Sequence, residues 1–180
     1  MNEINIELYV PSRETPYRSP KAAIDSISEF IEGKVVCDLG CAEGDTMVFM
    51  SKYAKEVIGF EFDKARGSVA EEKGLNVVYG DYFKDDLPEA EVYYFWPDEG
   101  AKVNEFLINK IHSNENWNGT IIVGGDSNFY PEPEVLGECV RKWLGDMKEV
   151  EWKEGEGHRQ SGTFLLCIIN IKRQHFIWCG

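Results

Sequence analysis

The sequence lacks any apolar run that approaches the roughly 20 residues needed to cross a bilayer. Its first residues, Met1–Glu7, carry acids where a secretory signal peptide would carry positive charge and then a long apolar stretch. We therefore expect no membrane association and a cytoplasmic location. A length of 180 residues with 43% hydrophobic residues favours a single folded domain over 1–180.

Cysteines and histidines are few and scattered. The five cysteines include no CxxC pair, and the three histidines lie apart from them. Structural zinc sites and disulfide frameworks use such residues at close, regular spacings. The sequence therefore predicts no metal site, and it favours reduced thiols over disulfide bonds.

Basic residues are fewer than acidic ones: the chain has 19 Lys and Arg and 32 Asp and Glu, which gives a net charge of −13. A field of this sign repels phosphate backbones, so we expect no nucleic-acid partner. The same field attracts basic partners, such as a Lys-rich protein surface or a small amine. Acidity also keeps proteins soluble without any such role, and charge does not predict the oligomeric state.

Short apolar runs alternate with helical patterns along most of the chain. The runs predict strands over 34–39, 56–61, 75–79, 91–96, 120–124, 148–153 and 163–171. The helical patterns cover 20–32, the segment that contains Met47 to Tyr53, 63–73, 98–112 and 133–145. This alternation implies βαβ units, while the last two strands, with no helix between them, imply an antiparallel hairpin. The predicted fold is α/β, with a seven-stranded, mostly parallel sheet whose last strand is antiparallel.

A glycine-bearing turn, Gly40–Gly44, follows the first predicted strand. Ligands of open α/β sheets bind at the carboxyl ends of the strands, so this turn is a candidate binding site. Gly40 and Gly44 permit a tight turn and a close approach of a ligand to the backbone. A nicotinamide fingerprint would read G-x-G-x-x-G, but Ala42 interrupts it. The acids within Glu43–Asp45 would also oppose a pyrophosphate.

Acidic residues lie at the ends of the next two strands. Glu61 ends the second strand about 20 residues beyond the turn, where a carboxylate can accept hydrogen bonds from both ribose hydroxyls. The third strand runs into Gly80-Asp81-Tyr82-Phe83. Asp81 is placed to accept from an adenine amino group, with Tyr82 or Phe83 against the ring face.

The segment Val35–Asp45 resembles motif I of the class I S-adenosylmethionine (SAM)-dependent methyltransferases, commonly written (V/I/L)-(L/V)-(D/E)-(L/V)-G-x-G-x-G. Cys41-Ala42 stands where that family often has Cys-Gly. The resemblance continues through Phe60–Asp63 and Gly80-Asp81 and covers about 20–172. It implies a three-layer Rossmann-like fold and SAM as the cofactor. The cofactor-binding residues that it implies are Asp38, Gly40, Cys41, Ala42, Gly44, Glu61, Phe62, Asp81, Tyr82 and Phe95.

The segment Tyr93–Asp98 bears on the identity of the methyl acceptor. In the methyltransferase fold, the loop after the fourth strand lies beside the reactive methyl group, and several N-methyltransferases have (D/N/S)-P-P-(Y/F/W) there. This chain has aromatic residues and one proline in that place but not the motif. Aromatic faces attract a substrate cation, so Phe95, Trp96 and Pro97 are candidate catalytic residues. Phe95 and Trp96 are also ordinary core residues for a strand end.

Pro16-Tyr17-Arg18-Ser19-Pro20 is similar to a segment of small archaeal protein-lysine methyltransferases and their non-SET relatives. In that family the segment folds over the cofactor. The resemblance implies that residues 1–19 form an N-terminal lid, with Tyr17 as a catalytic-site residue. Ser19 as a plain helix cap and Tyr17 as a packing residue is the competing interpretation.

The leading hypothesis is therefore SAM-dependent N-methylation of a protein lysine. A small-molecule SAM-dependent methyltransferase is the main alternative. An aminopropyltransferase remains open because Asp98, after the fourth strand, could bind an amine. A non-catalytic protein of the same fold is disfavoured, because a decayed site has no need of acids at all three strand ends.

Overall fold

The computed structural model describes residues 19–96, 101–126, 145–152 and 162–172. The predicted lid, including Tyr17, therefore lies outside the described residues except for Ser19, as does Pro97. The helices are α1 (Lys21–Ser26), α2 (Ser28–Ile31), α3 (Asp45–Met50), α4 (Lys64–Glu72) and α5 (Ala101–Ser113). The strands are β1 (Val35–Leu39), β2 (Glu56–Glu61), β3 (Asn76–Tyr79), β4 (Val92–Phe95), β5 (Gly119–Asp126), β6 (Asp146–Trp152) and β7 (Gly162–Ile171).

The seven strands form one sheet in the order β3-β2-β1-β4-β5-β7-β6. Strands β1 to β5 pair in parallel. Strand β7 is antiparallel to both of its neighbours, β5 and β6. The predicted seven-stranded, mostly parallel sheet with an antiparallel last strand is confirmed. The order places β1 and β4 side by side at the centre, where the strand order reverses and a crevice opens.

Two apolar cores cover the two faces of the sheet, which gives three layers. Alternate residues of a strand point to opposite faces, so the central strands feed both cores. Helices α1, α2 and α3 cover one face, with Ile24 and Met47 fully buried there. Helix α5 covers the other face through Leu107 and Ile108. None of the described helices is long and apolar enough to cross a membrane.

The predicted helix over 20–32 is interrupted at Ile27, which has φ −103° and ψ 9°. The amide of Phe30 donates to the carbonyl oxygen of Ile27 at 2.9 Å, a tight i→i−3 turn, rather than to that of Ser26. The Ser26 oxygen instead accepts from Nζ of Lys148 on β6. A tertiary hydrogen bond therefore takes the acceptor that a continuous helix would use, and the chain forms two short helices.

Two further element boundaries, the start of α1 and the start of β6, also differ from the prediction. Ser19 does not cap α1; its hydroxyl is hydrogen-bonded to that of Tyr94, and Pro20 occupies the N-cap position. Strand β6 begins at Asp146, two residues earlier than predicted, because its pairing with β7 already starts there. Most of the helix predicted over 133–145 lies outside the described residues.

Candidate functional site

The turn after β1 adopts a backbone conformation that few residues tolerate. Gly40, Ala42 and Gly44 have φ values of +80°, +51° and +78°. Glycine adopts such left-handed values readily, whereas the Cβ of any other residue adds roughly 1–2 kcal/mol. Ala42 therefore carries strain at the position where glycine is common in the sequences that this segment resembles. Strain of this kind persists only where surrounding contacts hold the backbone in place.

Glu61, at the end of β2, connects this turn to the next loop. Its Oε2 accepts from the amide of Ala42 at 2.8 Å, and its Oε1 accepts from the amide of Asp63 at 2.8 Å. The side chain is buried, with 7% of the residue surface exposed. Hydrogen bonds to an ionised acceptor are stronger than neutral ones, so one carboxylate fixes both loops.

Asp38, the penultimate residue of β1, is buried, with 4% of its surface exposed. Its Oδ2 has no hydrogen-bond partner among the described residues. Burial, and secondarily the charge of nearby Glu61, raise the pKa of Asp38 to about 7. An unsatisfied buried carboxylate oxygen is costly, so it marks a place where a proton or a cationic donor belongs.

Both acids that follow Ala42 are paired with cations of α4 and its C-terminus. Arg66 holds Glu43 through two hydrogen bonds, from Nε to Oε1 at 3.1 Å and from a terminal nitrogen to Oε2 at 3.2 Å. Lys73 Nζ lies 2.5 Å from Oδ1 of Asp45. The sequence argument that these acids repel a pyrophosphate is therefore weaker than expected, because the charge of each is compensated. The interruption at Ala42 still stands against a nicotinamide fingerprint.

A pocket of about 130 Å³ opens at the carboxyl ends of the central strands. A drug-sized ligand fills roughly 300 Å³ or more, so these walls surround one part of such a ligand. The pocket is lined by six of the predicted site residues: Gly40, Glu61, Phe62, Tyr82, Phe95 and Trp96. Phe62 is 72% exposed, an unusual environment for a large aromatic side chain. A ring left in water at a pocket rim is suited to stacking on a planar ligand.

Other predicted site residues lie near the pocket without lining it. The Cys41 thiol points into the core, where a Cβ on Gly59 would lie only 2.4 Å from it, so only the backbone of Cys41 faces the turn. Gly44 packs against α4, because an added Cβ would lie 2.8 Å from that of Ala70. At Gly40 no described atom lies within 4 Å of such a Cβ. Gly40 is therefore the glycine that leaves room for a ligand.

Asp81 is engaged by its own loop. Its Oδ1 accepts from the amide of Phe83 at 2.9 Å, and its Oδ2 lies 2.6 Å from Nζ of Lys84. The hydrogen bond from Lys84, followed by that from the Phe83 amide, lowers the pKa of Asp81. Contact with an adenine amino group, as predicted, would require Asp81 to share these acceptors, so that role stays a prediction.

The two described aromatic candidates at the end of β4 differ in their surroundings. Phe95 is almost fully buried in the core beneath α5, and it is one of the residues that line the pocket. Trp96 is half-buried and packs against the opposite core while lining the pocket. Trp96 is therefore the better placed of the two to meet a second substrate.

Sequence reasoning missed the residues that support the site from α4 and α5. Arg66, Val103 and Leu107 line the pocket. The spacing of Arg66 and Lys73, seven residues apart on a helix and opposite the acidic turn, was an available signal. The hydrogen bond between Ser19 and Tyr94 could not be predicted from local sequence patterns, because 75 positions separate the two residues.

A larger cavity, about 570 Å³, lies at the other end of the sheet. Its walls include Val35 at the start of β1, Glu91 before β4 and Asn118 before β5. Ligands of open α/β sheets bind at the carboxyl ends of the strands, so position outweighs size and the smaller pocket is the candidate. Among the described residues, no group of three or more potential metal ligands comes together.

The sequence matches no protein-family model and no curated protein. In structure, it is similar to the C-terminal domain of a precorrin-6Y C5,15-methyltransferase from Rhodobacter capsulatus (TM-score 0.62, 16% identity, covering 84% of this chain and 88% of the other). A candidate RNA methyltransferase from Pyrococcus horikoshii gives a TM-score of 0.61 and 20% identity, with 93% and 94% covered.

A third similar structure is magnesium protoporphyrin IX methyltransferase from Synechocystis PCC 6803, solved with bound SAM (TM-score 0.58, 12% identity, covering 83% and 79%). At such low identities these similarities establish the fold and leave the reaction open. The fold is the Rossmann-like fold of the class I SAM-dependent methyltransferases, as the resemblance of the sequence implied.

Proposed function

We propose that this protein is a SAM-dependent methyltransferase that binds its cofactor in the pocket at the carboxyl ends of β1, β2 and β4. The observation that carries the proposal is the position of Glu61. Its buried carboxylate joins the glycine-bearing turn to the end of β2 and borders the pocket. In sheets of this kind, an acid at this point accepts hydrogen bonds from ribose hydroxyls.

The hydrogen-bonding capacity of Glu61 is compatible with that role. Each carboxylate oxygen offers two lone pairs, and the amides of Ala42 and Asp63 use one on each. A ribose diol can therefore bind without breaking either hydrogen bond.

The buried Oδ2 of Asp38 supports SAM over an uncharged nucleoside. SAM carries an ammonium group and a sulfonium centre, and a cationic donor is the complement of an unpartnered carboxylate. Phe62 offers an exposed ring for the adenine. Glu61 and Phe62 line the pocket, and Asp38 does not line it but directly precedes Leu39 and Gly40, which do. The residues present thus fit the cofactor at three places that differ in chemistry.

When bound, SAM supplies an electrophilic methyl group on sulfur. The protein contributes position: the turn and Glu61 fix the nucleoside end, while Trp96 borders the side from which an acceptor would arrive. Methyl transfer requires no dedicated base if the acceptor is an amine that reaches the pocket in its neutral form.

We propose a protein lysine as the acceptor, with a small amine as the alternative. The net charge of −13 favours encounter with a basic surface, and the Trp96 ring attracts an ammonium group. A free lysine has a pKa of about 10.4, so its neutral form costs about 4–5 kcal/mol at pH 7. Burial beside an aromatic wall lowers this cost. Pro97 and Tyr17, which lie outside the described residues, stay predicted acceptor-site residues.

Transfer of a labelled methyl group from SAM into a cell lysate tests the acceptor class. We expect label in protease-sensitive material, recovered after hydrolysis as methylated lysine. Glu61→Ala should abolish labelling, whereas Glu89→Ala, which changes an acid of the larger cavity at the opposite end, should preserve it.

Two other outcomes would overturn the lysine proposal. Label in dialysable compounds would assign a small-molecule substrate. Label removed by ribonuclease would assign an RNA substrate, and the argument from net charge would then be wrong.

A further inference from the structure

The turn after β1 is strained and therefore depends on its surroundings. Three of its five positions from Gly40 to Gly44 have left-handed φ values, one of them at Ala42. Glu61 holds the centre of the turn through the Ala42 amide. Glu43, in the second half of the turn, and Asp45, the first residue of α3, are contacted by a different element.

That element is α4 with its C-cap residue, Lys73. Lys73 Nζ donates to the backbone oxygen of Glu43 at 2.7 Å and to Oδ1 of Asp45 at 2.5 Å. Arg66 binds the Glu43 carboxylate in the two-pronged manner that fits a guanidinium. The two cations are seven residues apart, two helical turns, so both project from the same face of α4.

Because these groups are largely buried, losing one of their contacts should destabilise the turn. The Asp45 side chain is 4% exposed and that of Lys73 is 20% exposed, in contrast to an ordinary surface ion pair. Removing one member of such a pair leaves the other charge buried without compensation. Lys73 also contacts the main chain of the turn directly, whereas Arg66 acts through the Glu43 side chain.

We propose that Lys73 and Arg66 are positioning residues that hold the cofactor turn in its binding conformation. This inference rests on the proposed function for its effect on SAM, but the conformational claim stands apart from it. Because Lys73 contacts both the backbone of Glu43 and the carboxylate of Asp45, its loss should loosen the turn more than loss of Arg66. Neither residue needs to touch the reacting atoms.

Hydrogen exchange of the full chain without ligand tests the conformational claim first. In Lys73→Met we expect the amides of Ala42 and Gly44 to exchange about tenfold faster, as local opening requires. The amides at the centre of β4 should keep the wild-type rate. Lys21→Met is the matched control, because it removes an ion pair of the same 2.5 Å length, to Asp25, that lies within α1.

SAM titration then tests the functional part. Lys73→Met should weaken SAM binding about tenfold, equivalent to about 1.4 kcal/mol, with kcat at saturating SAM near the wild-type value. Lys73→Arg keeps the cation and should recover most of the affinity. Lys21→Met should bind SAM as the wild type does.

The outcomes separate the two proposals. If the wild type does not bind SAM, the proposed function fails, while the exchange rates still decide the conformational claim. Unchanged exchange at Ala42 and Gly44 in Lys73→Met, or the same acceleration in Lys21→Met, overturns the positioning role. If Lys73→Met does not fold, Glu43→Ala provides the test, because it removes the Arg66 contact and keeps the backbone oxygen of Glu43 that Lys73 binds. Glu43→Ala should still accelerate exchange in the turn, and an unchanged rate there overturns the inference.

Discussion

The amide of Ala42 donates to Oε2 of Glu61 at 2.8 Å, and this side-chain hydrogen bond helps to fasten the strained turn after β1 to the end of β2. The other oxygen of the same carboxylate fastens the start of α4 through the amide of Asp63. A group that would bind the cofactor ribose thus also holds together the two loops that surround it. Under the proposed function, the conformation of the site and the binding of the cofactor therefore depend on the same side chain.

Glu61→Gln tests whether Glu61 both holds the two loops and binds SAM. The amide can accept only one of the two N–H groups, and its NH2 would face the other donor. We expect a loss of about 1–3 kcal/mol in the free energy of unfolding, as for an unsatisfied buried group, together with strongly weakened SAM binding. Glu56→Gln, on the exposed start of the same strand, is the control. Wild-type stability and affinity in Glu61→Gln would contradict the assigned contacts.

Asp38→Asn should raise stability at pH 8 while weakening SAM binding. The folded-state pKa of Asp38, about 7, lies above the unfolded value of about 3.9. The folded chain therefore binds the proton more tightly, and the contribution of Asp38 to stability falls as pH rises from about 4 to 7. Asparagine lacks this dependence, so the gain over the wild type should be on the order of 1–4 kcal/mol at pH 8 and small at pH 4.

Denaturant titrations of both proteins at pH 4 and pH 8 measure this difference. Because the unprotonated form of Asp38 is the one that complements a cation, wild-type affinity for SAM should also rise with pH until about 7. An Asn variant that is equally destabilised at both pH values would show that Asp38 is satisfied in the native protein.

Alanine at Gly40 and at Gly44 should have different effects, although both glycines have left-handed φ values near +80°. At Gly44 the new Cβ would collide with Leu75 at 2.5 Å and with Ala70, so we expect a loss of about 2–4 kcal/mol in stability. At Gly40 only the backbone strain of about 1–2 kcal/mol applies, and the methyl group would project into the pocket. Thermal unfolding and SAM titration together should show stability lost mainly at Gly44 and affinity lost mainly at Gly40.

Phe62→Ala should weaken SAM binding and leave the fold intact. The ring is 72% exposed, so its removal should change stability by less than about 0.5 kcal/mol. Stacking of a base on an aromatic ring contributes about 1–3 kcal/mol, which corresponds to roughly 5–150-fold in affinity. Val69→Ala on α4 is the control for an exposed apolar side chain. Unchanged affinity in Phe62→Ala would remove this residue from the site.

Most of the fold was predictable because its signals are local. The apolar runs at β1 and β2 and the helical spacing of α5 are each contained within about a dozen residues. The break at Ile27 was not predictable, since it depends on Lys148, 122 positions beyond Ser26. Register with β7, rather than the composition of β6, sets the start of that strand at Asp146.

In the candidate site, too, some features were predictable from local sequence and others depend on packing. Glu61 and Gly40 follow from strand ends and a turn, and the structure places both at the pocket. The sequence could not show that Gly44 is required by Ala70, or that the thiol of Cys41 turns into the core. Those facts depend on how α3 and α4 pack against the sheet, which short-range patterns do not contain.

Calorimetric titration of the wild-type protein with SAM at pH 8 tests the central claim most directly, with Glu61→Gln and Glu56→Gln measured alongside. The account predicts saturable binding of one SAM per chain, retained in Glu56→Gln and strongly weakened in Glu61→Gln. Absence of binding by the wild type, or equal binding by all three proteins, would contradict the assignment of this pocket as a SAM site.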